Sequence, residues 1–293
     1  MRASYPIVRV RLPQTLCIHP STACPVTNDF YPLEDGVFHS IAGAFDMVRR
    51  ASRWRVLTPI LFLLVLIVSS RLAGWDENRE ETISVAILDP LEGLEEDFTS
   101  SCLRLFESAG FEADVFRGDE VSVGRIKNIP GGYRIVVFRV HSSVYHDRVW
   151  FFTGEKYNQG RYVLEQLVDE VHPARPALGS EFIFAVGAEF VLHFLEDRFD
   201  GALIVVMGCD GLRSHDLAKA FLDAGASAYV SWDGPVSLEH TDEATLAMLR
   251  GLVAEGMCLG EAVQHSMELV GPDPFYSSLL CYFPEEGESF SIK

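Results

Sequence analysis

The chain has 293 residues and a formal net charge of −18, with 42 acidic residues against 24 lysines and arginines. The charge is unevenly spread: residues 1–75 carry eight arginines and four acids, whereas the rest carries 16 bases against 38 acids. So acidic a surface repels phosphate backbones and excludes nucleic-acid binding through clustered Lys and Arg. The acid excess reads as a device for solubility or a salty habitat rather than the mark of a specific partner.

In chain order, residues 1–46 lack convincing periodicity and read as a disordered tail or a mis-assigned start. Met47 opens the sequence MVRRASRWRVLTPILF, which has the basic beginning of a membrane-targeting segment and is expected to be the true initiator. Arg49, Arg50, Arg53 and Arg55 lie in a flank (47–55) before an apolar segment (56–75) that is expected to be a transmembrane helix. Its strictly apolar part is shorter than the ~20 residues wanted for a span, so reaching Trp75 requires Arg71 to snorkel to the interface. The arginine cluster predicts a cytoplasmic N-terminus with the large domain outside the membrane. A cleaved signal peptide is the rival reading, although no A-x-A site is present.

After an acidic linker (76–81), the large domain (82–293) is long enough for a well-buried core. Residues 82–88 (TISVAIL) read as a buried strand ended by Asp89-Pro90. Residues 97–110 follow as a helix with a closing glycine. A strand at 111–116, a short helix or loop at 121–129 and a Pro130-Gly131-Gly132 turn lead to the apolar run 133–140 (YRIVVFRV). Residues 148–153 are expected as one arm of a hairpin over the sheet edge. Residues 162–171 and 182–199 are expected as helices, with a loop around Pro173 and Pro176 between them. The run 202–208 (ALIVVMG) is the next strand, followed by a helix at 214–224, a strand at 228–232 (AYVSW), helices at 239–255 and 259–269, and a last strand at 277–283. Alternation of this kind predicts an α/β domain with a doubly wound, mainly parallel sheet of about six strands.

Two strand ends carry chemistry. The run 133–140 delivers His141 and the run 202–208 delivers Cys209. Ligands in open α/β sheets sit beyond the carboxyl ends of the strands, so a base and a thiol placed there can converge on one crevice. An ordinary thiol is mostly protonated at neutral pH and becomes a nucleophile only beside a base or a positive charge. Gly208 and Gly211 around Cys209 are expected to let substrate approach the backbone, and the N–H groups of Cys209 and Ser142 to form an oxyanion hole. The alternative is that Cys209 is a packed core residue and His141 a loop ligand. Cys102, Cys258 and Cys281 read as small core residues. With Cys17 and Cys24 they form no CxxC or His/Cys zinc spacing, and no phosphate loop or dinucleotide fingerprint is present, so neither metal nor cofactor is expected.

The order strand-His, strand-Gly-Cys, helix, strand-Trp resembles the caspase-like fold shared by caspases, gingipains, clostripain and the CHAT peptidases. The most specific stretch is 205–263, from VVMGCDGLRSHDLAKAFLDAGASAYVSW through GEAV, within a likeness that spans roughly residues 82–283. The resemblance implies a cysteine endopeptidase with His141 as base and Cys209 as nucleophile, acting on protein or peptide substrates. Two positions depart from it. Ser142 follows the histidine where many relatives have glycine, and Met207 stands two residues before the cysteine where some relatives carry an acid that binds a basic side chain. Asp233 and Trp232 are the expected substrate-binding residues, with Asp233 the replacement candidate for selecting a basic side chain; the other reading of Asp233 is a turn residue in Asp233-Gly234-Pro235. A caspase-like domain used only for binding or sensing at the cell surface is the competing function.

Overall fold

The computed structural model describes residues 82–91, 93 and 97–292. The tail 1–46, the basic flank 47–55, the anchor 56–75 and the linker 76–81 lie outside the described residues. Among the described residues no helix is long and apolar enough to cross a membrane.

The elements are, in order, β1 (Ser84–Asp89), α1 (Asp97–Ser108), β2 (Glu112–Arg117), α2 (Val123–Lys127), β3 (Ile135–Phe138), β4 (Ser142–Tyr145), β5 (Arg148–Lys156), α3 (Val163–Leu167) and β6 (Val171–Ala174). They continue with β7 (Ile183–Val186), α4 (Ala188–Phe194), β8 (Leu203–Val206), α5 (Asp216–Asp223), β9 (Ala228–Trp232), α6 (Leu238–Val253), α7 (Leu259–Leu269) and β10 (Leu280–Phe283). The main sheet has six strands in the order β2-β1-β3-β8-β9-β10. All its pairings are parallel except that of β10, which runs antiparallel to β9.

Alternate residues of each central strand enter opposite cores, as the two-residue period of a strand requires. Val85 and Ile87 of β1, Ile135 and Val137 of β3, and Leu203 and Val205 of β8 pack with α1, α6 and α7. Ala86, Leu88, Val136, Phe138, Ile204 and Val206 face the other way, toward α2, α4 and α5. Strands buried on both faces in this way read as unbroken apolar runs. Helix α6 presents Thr241, Ala244, Thr245, Met248, Leu249 and Leu252 to the sheet, a stripe at helical spacing. Each large apolar side chain so buried contributes about 1.5–3 kcal/mol. Helices α1 and α5 both stop at a left-handed glycine, Gly110 (φ +81) and Gly225 (φ +102). The following N–H bonds back to the helix, Phe111 to Phe106 O and Ala226 to Phe221 O.

The sequence reading missed a second sheet, four antiparallel strands in the order β4-β5-β7-β6. Residues 148–153 are indeed a hairpin arm, but they do not lie over the sheet edge. β5 turns Val149 and Phe151 into the core beside α5, where the Phe151 ring meets Phe138 and Phe221. The β4–β5 turn uses His146 (φ 50) and Asp147 (φ 58), both left-handed, as the tight two-residue hairpin turn demands. Residues 182–199 are not one helix. They divide at Gly187, whose extended backbone caps α4, and Phe184 and Val186 alternate with Ile183 and Ala185 as a strand. Residues 162–171 shrink to the single turn of α3, and the expected loop at Pro173 is β6. This is an edge strand, where a missing N–H is tolerated.

Candidate active site

β3 and β8 are neighbours in the main sheet and parallel, so the residues just beyond their carboxyl ends lie side by side. His141 and Cys209 accordingly line one small cavity of about 50 Å³. Val140, Met207 and Gly208 beside them, Leu91 from the end of β1, Val236 from the β9–α6 connection, and Leu238 and Thr241 of α6 complete it. The crevice therefore sits beyond the carboxyl ends of β3 and β8, beside the point between β1 and β3 where the sheet order reverses and open α/β sheets hold ligands.

Both site residues are partly buried. Burial pushes the His141 imidazole below its ordinary range, and the positive charge of Arg139 pushes it the same way. Burial pushes the Cys209 thiol up. A hydrogen bond with Val236 lowers it, and the carboxylates of Asp210 and Asp273 raise it again. At neutral pH the pair is therefore a thiol beside a neutral imidazole. No hydrogen bond joins them. The thiol instead meets the backbone of Val236, donating to its carbonyl and accepting from its N–H, each at 3.4 Å.

Val236 is held over the thiol from behind. Asp273, almost completely buried, accepts hydrogen bonds from the Ser237 N–H (2.9 Å) and hydroxyl (2.7 Å) and from the N–H groups of Phe275 and Tyr276 (each 2.9 Å). Burial drives its carboxyl up, but those four donors outweigh it and hold the group at about 2. Ser278 adds a hydroxyl bond to the Pro235 carbonyl. Residues 235–237 are thus a strap across Cys209, tied to the 273–278 loop.

The Ser142 N–H is well placed to face the thiol's turn. The rung next to Ser142–Phe151 is Phe152 N–H to His141 O, so Ser142–Phe151 is a non-hydrogen-bonded pair and its N–H points out of the ladder. A Cβ on Gly208 would lie 2.7 Å from that nitrogen and 2.1 Å from the Ser142 hydroxyl oxygen. Among the described residues the Ser142 N–H has no backbone acceptor outside the ladder, and the Cys209 N–H bears on its own thiol. The glycines around Cys209 serve a different end from the one expected. Gly208 is bare because Ser142 packs on it, and it also lines the cavity; Gly211 is bare because the Ser231 hydroxyl would lie 2.0 Å from a Cβ there.

Trp232 and Asp233 do not join the cavity. Trp232 is completely buried and offers no surface to a substrate. Its indole N–H donates to Thr241 Oγ1 (2.8 Å), which donates in turn to the Met207 carbonyl (2.9 Å), so the tryptophan positions a wall of the site. Asp233 is exposed, and its carboxylate accepts the Leu279 N–H at 2.8 Å while its own N–H bonds the Leu279 carbonyl. That is the turn role.

A buried charge cluster behind the site escaped the sequence reading. Arg139, 1% exposed, is bidentate to Asp242 of α6 (2.8 and 2.9 Å) and meets both carboxylate oxygens of Asp89 (3.1 and 3.3 Å). Asp89 also accepts from the Leu91 N–H and the Thr99 hydroxyl. The cluster ties the ends of β1 and β3 to α6 and so fixes Leu91, His141 and Thr241 relative to one another. The signal was an arginine inside an otherwise apolar strand, which burial allows only with a counter-charge.

These features define a mixed α/β domain with a thiol and an imidazole at adjoining parallel strand ends, backed by an Asp–Arg–Asp cluster. No protein-family model matches the chain, and no curated protein matches it.

Proposed function

We propose that this domain is a cysteine endopeptidase of the caspase-like kind, in which Cys209 is the nucleophile and His141 the base. The observation that carries this reading is the shared cavity of the two side chains at the carboxyl ends of β3 and β8. The six-stranded sheet with its antiparallel last strand is consistent with that fold.

The neutral imidazole of His141 has the free lone pair a base needs. It takes the Cys209 proton as Sγ bonds to the substrate carbonyl carbon, and the N–H groups of Ser142 and Cys209 receive the oxyanion. The C–N bond then breaks, its electron pair leaves with the amine nitrogen, and the imidazolium returns the proton to that nitrogen. Water hydrolyses the thioester and restores the thiol. The strap at 235–237 holds both hydrogen-bonding directions of the thiol, so Val236 has to give way as Sγ attacks.

The arginine flank and apolar segment 56–75 support a single-pass anchor with this domain outside the cytoplasmic membrane, acting on proteins there. The test is cleavage of a denatured protein by the full chain in detergent. Activity abolished in both Cys209→Ala and His141→Ala supports the dyad, and activity that survives either substitution removes it.

A second reading, a binding or sensing domain without catalysis, draws on the capped thiol and the lack of a hydrogen bond between His141 and Cys209. Its signature is a wild-type chain that cleaves nothing and whose Cys209 resists alkylation even when Asp273 is substituted.

A further inference from the structure

We propose that a second pocket beside His141 holds the leaving-group side of the substrate and selects an apolar side chain there. This inference rests on the peptidase reading. The pocket has a volume of about 230 Å³ and shares two walls, Leu91 and His141, with the dyad cavity, but Cys209 does not line it. It opens between the carboxyl end of β1 and the second sheet, with Pro90, Phe152, Pro176 and Ile183 as its apolar surfaces.

The assignment follows from the proton's path. In acyl transfer the thiol holds the carbonyl carbon, while the histidine passes its proton to the departing nitrogen. The departing segment therefore lies on the histidine's side of the scissile bond. A pocket walled by His141 and not by Cys209 is where its first side chain falls.

The chemistry of the walls sets the selectivity. No Asp, Glu, Lys or Arg lines the pocket among the described residues, and His141 is its titratable group. Its one hydroxyl, on Thr153, is already given to the Phe184 carbonyl at 2.9 Å. A charged side chain would be desolvated there without a partner, which disfavours it strongly. A second cavity of about 350 Å³ continues from the first through Phe152. One of its walls is Trp150, 5% exposed, whose indole N–H has no acceptor among the described residues.

The experiment is to digest a diverse peptide library with the full chain and to read, by mass spectrometry, the residues on both sides of every bond whose cleavage requires Cys209. Leu, Ile, Phe and Met are expected to be enriched immediately after the cut bond, with a preference over Asp of about tenfold or more. Ile183→Glu should move that position toward Lys and Arg while leaving the preference on the acyl side in place. Ile183→Ala, milder for folding, should weaken the apolar enrichment. Cys209-dependent cleavage without apolar enrichment after the cut, or a profile unmoved by both substitutions, overturns the pocket and spares the dyad. A wild-type chain that cleaves nothing overturns both.

Discussion

The hydroxyl of Ser142 donates a 2.6 Å hydrogen bond to the carbonyl of Cys209. The residue after His141 is thereby fastened to the backbone of Cys209, which ties the loop leaving β3 to the loop leaving β8. The fit depends on Gly208, whose missing Cβ is the space Ser142 fills. Gly208→Ala is expected to destabilise the domain by about 1–3 kcal/mol through overpacking and to abolish cleavage by pushing the two loops apart. Urea denaturation with a parallel activity assay measures both. Ser142→Ala, which removes only the hydroxyl, should cost about 1 kcal/mol and leave cleavage largely intact, because the proposed oxyanion donor is the backbone N–H.

The Asp89–Arg139–Asp242 cluster gives a second prediction. Arg139→Met leaves two buried carboxylates without their counter-charge and is expected to cost about 3–5 kcal/mol. Adding Asp89→Asn and Asp242→Asn should recover a substantial part, because the neutral set no longer buries unpaired charge. Denaturant midpoints of the single and triple variants decide it, and equal midpoints would remove the cluster's electrostatic role.

Asp273 predicts an acid limb in the stability curve. Its folded-state pKa of about 2 lies below the ~3.9 of an unfolded aspartate. The stability it contributes is therefore complete above pH ~4 and is lost as pH falls through the folded value. Denaturation between pH 5 and pH 2 should show wild type losing stability more steeply than Asp273→Asn, which has no charge to protect.

The same residue controls access to the thiol. With its pKa raised and its sulfur against Val236, Cys209 should react slowly with iodoacetamide at pH 7 and faster as pH rises. Asp273→Ala frees the strap and is expected to speed labelling several-fold at fixed pH. Cys281, pushed up to about 11, and the fully buried Cys102 serve as slow internal references. Peptide mass spectrometry separates the sites; identical Cys209 rates in wild type and variant would show that the strap does not guard it.

The main sheet was readable because its central strands are buried on both faces. Residues 228–232 and 259–269 come out with the expected bounds, and the other strands and long helices differ only at their ends. The second sheet was not readable for a physical reason. In 182–199 the strand positions Phe184 and Val186 run directly into the helical stripe Phe190, Val191 and Phe194, so both periods merge into one apolar pattern. Only Gly187, where an added Cβ would lie 3.0 Å from the Trp150 ring, marks the break. β6 was hidden by Pro173, since an edge strand tolerates what a central one does not.

The site divides the same way. His141 and Cys209 announce themselves by following apolar runs, and the topology brings them together. The strap could not be seen, because Val236 acts through its backbone and Asp273 through four hydrogen bonds to segments 36 residues away and next door. The expected substrate-binding role of Trp232 fails because α6 covers the ring, which a tryptophan at a strand end does not reveal in sequence.

The second sheet also determines when this chemistry can exist. Ser142 and Cys209 stand 67 residues apart in sequence, and everything between β3 and β8, four strands and two helices, has to be laid down before the two loops meet. Contacts of such long range are made only after a large loop is closed. A nascent or partly unfolded chain therefore carries an ordinary thiol and a distant imidazole. Under the proposed dyad, reactivity is a property of the finished domain, and an incomplete copy is not expected to attack its neighbours while it is being made.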